Sequence, residues 1–164
     1  MFQAVFYYEA DSLNKALNGD GNNFGFLDII DNYSMTKAAQ LAHFYSGAIY
    51  LKQGDYDDAI DHLTKFNAKD IAVQPRAYSL IGDAYMEKND VTKAIEYYKK
   101  AAEYMPNEFL TPQYLEKEAV AYEKLLNYES ASDCYNEIIN KFYGSSEYQN
   151  AQKQKARLDA LAKK

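Results

Sequence analysis

Tryptophan is absent from this chain of 164 residues, cysteine occurs once and proline three times. The single cysteine, Cys134, excludes an internal disulfide and fits either a reducing compartment or an envelope protein that needs none. No run of about 18 apolar residues occurs, and no basic segment precedes a short apolar core, so neither a transmembrane helix nor a signal peptide is expected within the chain. It opens abruptly, Met1 to Ala10 having the apolar faces of a helix already in progress, as a fragment would. Positive charge is scarce: 18 Lys and Arg face 24 Asp and Glu, for a net charge of -6. No basic cluster occurs before the last dozen residues, which argues against nucleic acid as the main partner. The few prolines and most of the glycines fall at expected helix ends and in one loop, and residues of good helix propensity fill the intervals. With 48% apolar and 26% charged residues, the composition is that of one all-α globular domain over residues 1–164 with a continuous core.

What is present in abundance is a repeat. Gly47, Tyr50 and Ala59 return as Gly82, Tyr85 and Ala94, and again as Ala119, Tyr122 and Ala131. Four residues beyond each Ala stands a bulky residue, Leu63, Tyr98 or Tyr135. Small residues at the Gly and Ala places let two helices approach closely, and the large ones fill the space between them. Between the halves lie Gln53-Gly54-Asp55-Tyr56, Lys88-Asn89-Asp90-Val91 and Leu126-Asn127-Tyr128-Glu129, which can close one helix and cap the next. Each unit is therefore helix, tight turn, helix, and the demands it meets are those of packing, not chemistry. Many of the 17 tyrosines fall at these packing places, and the rest are free for contact surfaces, where Tyr combines area with a hydroxyl.

This pattern resembles the tetratricopeptide repeat, most fully at Gly82, Tyr85, Ala94, Tyr98 and Pro106. The resemblance implies an all-α, right-handed superhelical stack of helix-turn-helix repeats with a C-terminal capping helix. The repeats are expected at about 1–35, 36–70, 74–108 and 111–144, with an insertion at 18–23 in the second helix of the first. Thr111 should cap and Pro112 open the fourth repeat; Ser146 with Gln149 has the form of a capping box for a last helix over 146–162.

Candidates for chemistry each have a plain competitor. Asp20, Asn22 and Gly25, with Asp31 at the twelfth place, partly follow a calcium loop, since oxygen ligands alternate and a glycine allows the sharp turn. Phe24 stands where an oxygen ligand belongs, so a polar insertion loop is the simpler account and a calcium-dependent regulator or enzyme using residues 20–31 the alternative. His43 and His62 have no Cys or second His at ligand spacing and suit packing or surface roles. Cys134, beside Tyr135, suits a small buried hydrophobe rather than a nucleophile. No catalytic residue, metal site or cofactor is assigned.

In the tetratricopeptide family the second, fifth, ninth and twelfth places of a repeat face a bound peptide. The resemblance carries this to Leu41, Phe44, Ala48 and Leu51, then to Arg76, Ser79, Asp83 and Met86, then to Gln113, Glu116, Val120 and Glu123, with Val5 and Tyr8 as the equivalents in the first repeat. Such a groove would run from apolar to acidic along the chain. Only Arg76 among these places is basic, whereas the family's carboxylate clamps use Lys and Asn there, so an extended or helical segment with apolar anchors and some positive charge fits better. A second copy covering the apolar end, as a homodimer, is the other outcome. The order of features is also similar to the soluble part of bacterial membrane-anchored tetratricopeptide proteins. That likeness implies a non-catalytic scaffold on the periplasmic side of the inner membrane, held by an N-terminal anchor outside this chain, with the cytoplasm as the alternative location.

Overall fold

The computed structural model describes residues 1–161, and among these there are ten α-helices and no strand. They gather into two compact units, Met1–Lys69 and the residues from Asp70 onward.

The first unit holds α1 (Phe2–Glu9), α2 (Leu13–Asn18), α3 (Phe26–Asn32), α4 (Lys37–Gln53) and α5 (Tyr56–Lys65). Each helix packs on the next, and α2 also touches α4. Ala4, Ala16, Leu17, Phe26, Ile29, Ala42 and Ile49 form its core. The expected irregularity is the segment between α2 and α3, which Asp20 organises: its carboxylate accepts from the N–H of Asn22 at 2.9 Å and of Asn23 at 2.7 Å. An Asp that bonds its own following backbone holds a turn that would otherwise have unsatisfied donors. Helix α4 is capped by Thr36, whose hydroxyl accepts from the Ala39 N–H at 3.1 Å, and is closed by Gly54 in the left-handed conformation (φ 87°) that glycine adopts without strain.

The second unit holds α6 (Val73–Glu87), α7 (Val91–Glu103), α8 (Thr111–Lys124), α9 (Tyr128–Lys141) and α10 (Tyr148–Leu161), packed in sequence order. Asp90 and Asn127 cap α7 and α9 through their side chains. Ala101, Leu115, Ala119, Ala131, Tyr135, Ile138, Ala151 and Leu158 are core residues, so α10 buries Ala151 and Leu158 against the helices before it.

Two capping expectations are corrected. Thr111 lies inside α8 as its first residue, with Pro112 next, and its hydroxyl accepts from the Asn107 N–H at 2.9 Å; Asn107 Oδ1 in turn accepts from Phe109 and Leu110. Asparagine, with both a carbonyl and an N–H free to bond locally, takes the turn instead. Ser146 forms no capping box: its hydroxyl donates to Glu147 at 3.0 Å, and α10 starts at Tyr148. The expected end of that helix, Ala162, lies outside the described residues.

Candidate functional site

The repeat positions are brought together as the spacing requires. A Cβ added at Gly82 would stand 2.6 Å from the Tyr98 ring, and one at Gly47 would stand 2.5 Å from Leu63 Cγ. Both distances are below any ordinary contact, so the glycines exist to admit those side chains. Tyr98 is 3% exposed and donates its hydroxyl to Asp83 Oδ1 at 2.7 Å. Tyr135 is equally deep and donates to Glu123 Oε1 at 3.2 Å. Burial first, then the carboxylate beside each phenol, raises both hydroxyl pKa values far above the ordinary range, so both remain donors.

These phenols lead to the surface formed by α6 and α8. Lys117 Nζ lies 2.7 and 2.8 Å from the two oxygens of Asp83 and 3.1 Å from Ser79 Oγ, above the Tyr98 ring. Arg157 on α10 pairs with Glu123, and Asn150 donates to Glu116 at 2.8 Å. Three of these contacts, Lys117 to Asp83, Asn150 to Glu116 and Arg157 to Glu123, join residues 34 positions apart. Between the polar groups are two hollows that share Glu116 and Val120. One, of about 320 Å³, is lined by Met86, Tyr98, Gln113, Glu116, Lys117 and Val120. The other, of about 250 Å³, continues past Glu123 and Tyr135 to α10. Val120, 53% exposed, stands between them.

A contact interval of 34 residues is one repeat of a helix-pair solenoid. Residues 44–108 match a family model described as tetratricopeptide repeat. Over that stretch the chain is similar to tetratricopeptide repeats. No curated protein matches it. Tetratricopeptide repeats generally serve protein–protein interaction and are typically non-catalytic scaffolds.

Within the second unit, the tetratricopeptide positions Met86, Gln113, Glu116 and Val120 line one hollow, and Glu123 joins the other. Arg76 is exposed at the start of α6, while Ser79 is 3% exposed and held by Lys117, out of a partner's reach. The acidic character expected here is offset: Asp83 and Glu123 are each paired with a cation. Lys117, Arg157 and Asn150 were missed because no local pattern marks them; opposite charges one repeat length apart were the available signal.

In the first unit, Phe44 is 8% and Ala48 7% exposed, and Phe44 packs against Phe66 and Tyr45, with ring centroids 5.4 and 5.6 Å apart. Both residues are core, not presented anchors: each lies on the side of α4 that the fold closes. Leu41 and Leu51 are half-buried. Val5 and Tyr8 pack on the core of this unit, Tyr8 edge-on to Tyr45 at 5.0 Å and beneath Lys52 Nζ at 5.2 Å.

His43 and His62 meet, Nδ1 to Nδ1 at 3.1 Å, and burial lowers both pKa values, so one neutral imidazole donates to the other. Asp20 also accepts from the Tyr7 hydroxyl at 2.5 Å, and that bond, first among its donors, holds its carboxyl far below the usual range. Among the described residues no three His, Cys, Asp or Glu side chains are grouped to hold a metal ion. Cys134 is 7% exposed, and burial pushes its thiol pKa well up, which disfavours the thiolate.

Proposed function

We propose that the α6–α8 surface binds a polypeptide segment through an apolar side chain seated in the hollow of Met86, Tyr98 and Val120. The observation that carries this is the hollow itself, about 320 Å³ and lined by four of the side chains expected at peptide-facing places in two successive repeats, together with Tyr98. Around it Arg76, Lys117 and Arg157 balance Asp83, Glu116 and Glu123, so recognition rests on shape and apolar contact more than on net charge. This revises the expected preference for positive charge. The likeness to tetratricopeptide repeats supports an interaction role of this kind. We place the working protein on the periplasmic side of a bacterial inner membrane, tethered by a segment outside this chain; this rests on likeness in the order of features. No helix among the described residues is long and apolar enough to cross a membrane.

A displayed library of random peptides, selected on the protein and counter-selected on a Met86→Glu, Val120→Asp variant, tests the proposal. Enriched peptides should share one large apolar residue and should lose little binding between low and physiological salt. Enrichment of charged motifs without an apolar anchor would refute it. Sedimentation showing that the protein pairs with itself through this face would replace the foreign segment with a second copy.

A further inference from the structure

A second cavity, of about 550 Å³, lies between α7, α8 and α9, away from the α6–α8 surface. Its size is that of a small-molecule site. Its walls are partly apolar, from Ala102, Leu115 and Tyr122. Its carboxylates outnumber its cations, four to two. The two cations are already engaged: Lys99 Nζ lies 3.8 Å from Glu103 and Lys141 Nζ 3.0 Å from Glu137. That leaves Asp133, exposed at the rim, and Glu118, which is only 6% exposed yet lines the cavity. Among the described residues no ammonium or guanidinium reaches Glu118 at ion-pair distance, and the Cys134 thiol near it is only a weak donor. The Glu118 carboxylate is not sealed off from solvent, so its acceptor positions stand open to whatever occupies the cavity.

The geometry points to a site for a compact organic cation of the alkylammonium type, its ammonium donating to Glu118 and its carbon body lying against Leu115, Ala102 and the Tyr122 ring. An ammonium supplies three donors and a charge, and an aromatic face adds attraction for a cation. A bare metal ion fits less well, since the acids are not grouped as ligands. Burial raises the Glu118 pKa to about 7, with Lys99 opposing and Glu103 and Glu137 adding to the rise. The groups facing it are Lys99 and Glu103 from α7, Tyr122 on its own helix, and Asp133, Cys134, Glu137 and Lys141 from α9. A cation that favours ionised Glu118 therefore binds more tightly as pH rises through neutrality.

Calorimetric titration of the intact protein with hexylammonium, 1-hexanol and hexanoate at about pH 8 tests this. Hexylammonium should bind at least about tenfold more tightly than the neutral and anionic isosteres, and Glu118→Gln should remove that preference. On the unaltered protein the preference should shrink as pH falls toward about 6, a readout that survives if the variant fails to fold. Equal binding of 1-hexanol, an unchanged preference in Glu118→Gln, a preference indifferent to pH, or no heat from hexylammonium would overturn the assignment.

Discussion

Replacing Gly82 by alanine should cost about 1–3 kcal/mol of stability, because the new methyl would meet the Tyr98 ring at 2.6 Å while that ring is held by its hydrogen bond to Asp83. Thermal or urea unfolding checks the figure, and a neutral result would mean that the ring gives way freely. The last repeat has Ala119 in the corresponding place, and there the tyrosine hydroxyl reaches Glu123, four residues on, where Tyr98 reaches Asp83, one residue on from Gly82. Lys117 and Asp83 are the other residue-scale test. The side chains are 41% and 29% exposed, which keeps their coupling modest, about 0.5–1 kcal/mol in a double-mutant cycle of Lys117→Met with Asp83→Asn. No measurable coupling would reduce the pair to a surface contact. These glycines and tyrosines were legible in the sequence because close packing demands the same residue types at fixed intervals. The partners of the charged residues were not, since a long side chain on a helix surface can reach several acids and only the fold selects one.

At the scale of the element, helix boundaries follow the apolar and small-residue periodicity closely, and the turns do not. Asp90 and Asn127 cap as their positions suggest, yet Asn107 displaces Thr111 and Ser146 turns to its neighbour Glu147. Several Ser, Thr, Asp and Asn side chains compete for the same few backbone donors, so sequence identifies the turn without choosing the cap. Helix α10 stands where the C-terminal capping helix is expected, and Leu158, 1% exposed, is its deepest large side chain. Leu158→Ala should cost about 2–4 kcal/mol, read from denaturant unfolding; a loss below about 0.5 would show that α10 is an ornament on the unit. Beyond stability, α10 brings Arg157 and Asn150 to the edge of the candidate surface, a contribution invisible from a pattern read one repeat at a time.

At the scale of the whole molecule, the pH dependence of stability separates two opposing contributions. Glu118 has a folded-state pKa of about 7 against 4.5 unperturbed, so the folded chain holds the proton more tightly and stability falls as pH rises from about 4.5 to 7. His43 and His62, lowered by burial, act with the opposite sign: their contribution rises with pH through the ordinary histidine range. Glu118→Gln isolates the first, and its melting temperature should exceed that of the parent at about pH 8 by more than at about pH 5. A constant difference would contradict the burial of a charge. The dissociation constant of one selected peptide for Val120→Asp and for Leu126→Asp reads whether binding occurs on the α6–α8 surface. Both residues are exposed apolar ones, 53% and 71%, but only Val120 lines the two hollows. Weakening by about tenfold or more for Val120→Asp with little change for Leu126→Asp is the expected result; equal effects, or loss only at Leu126, would place binding elsewhere.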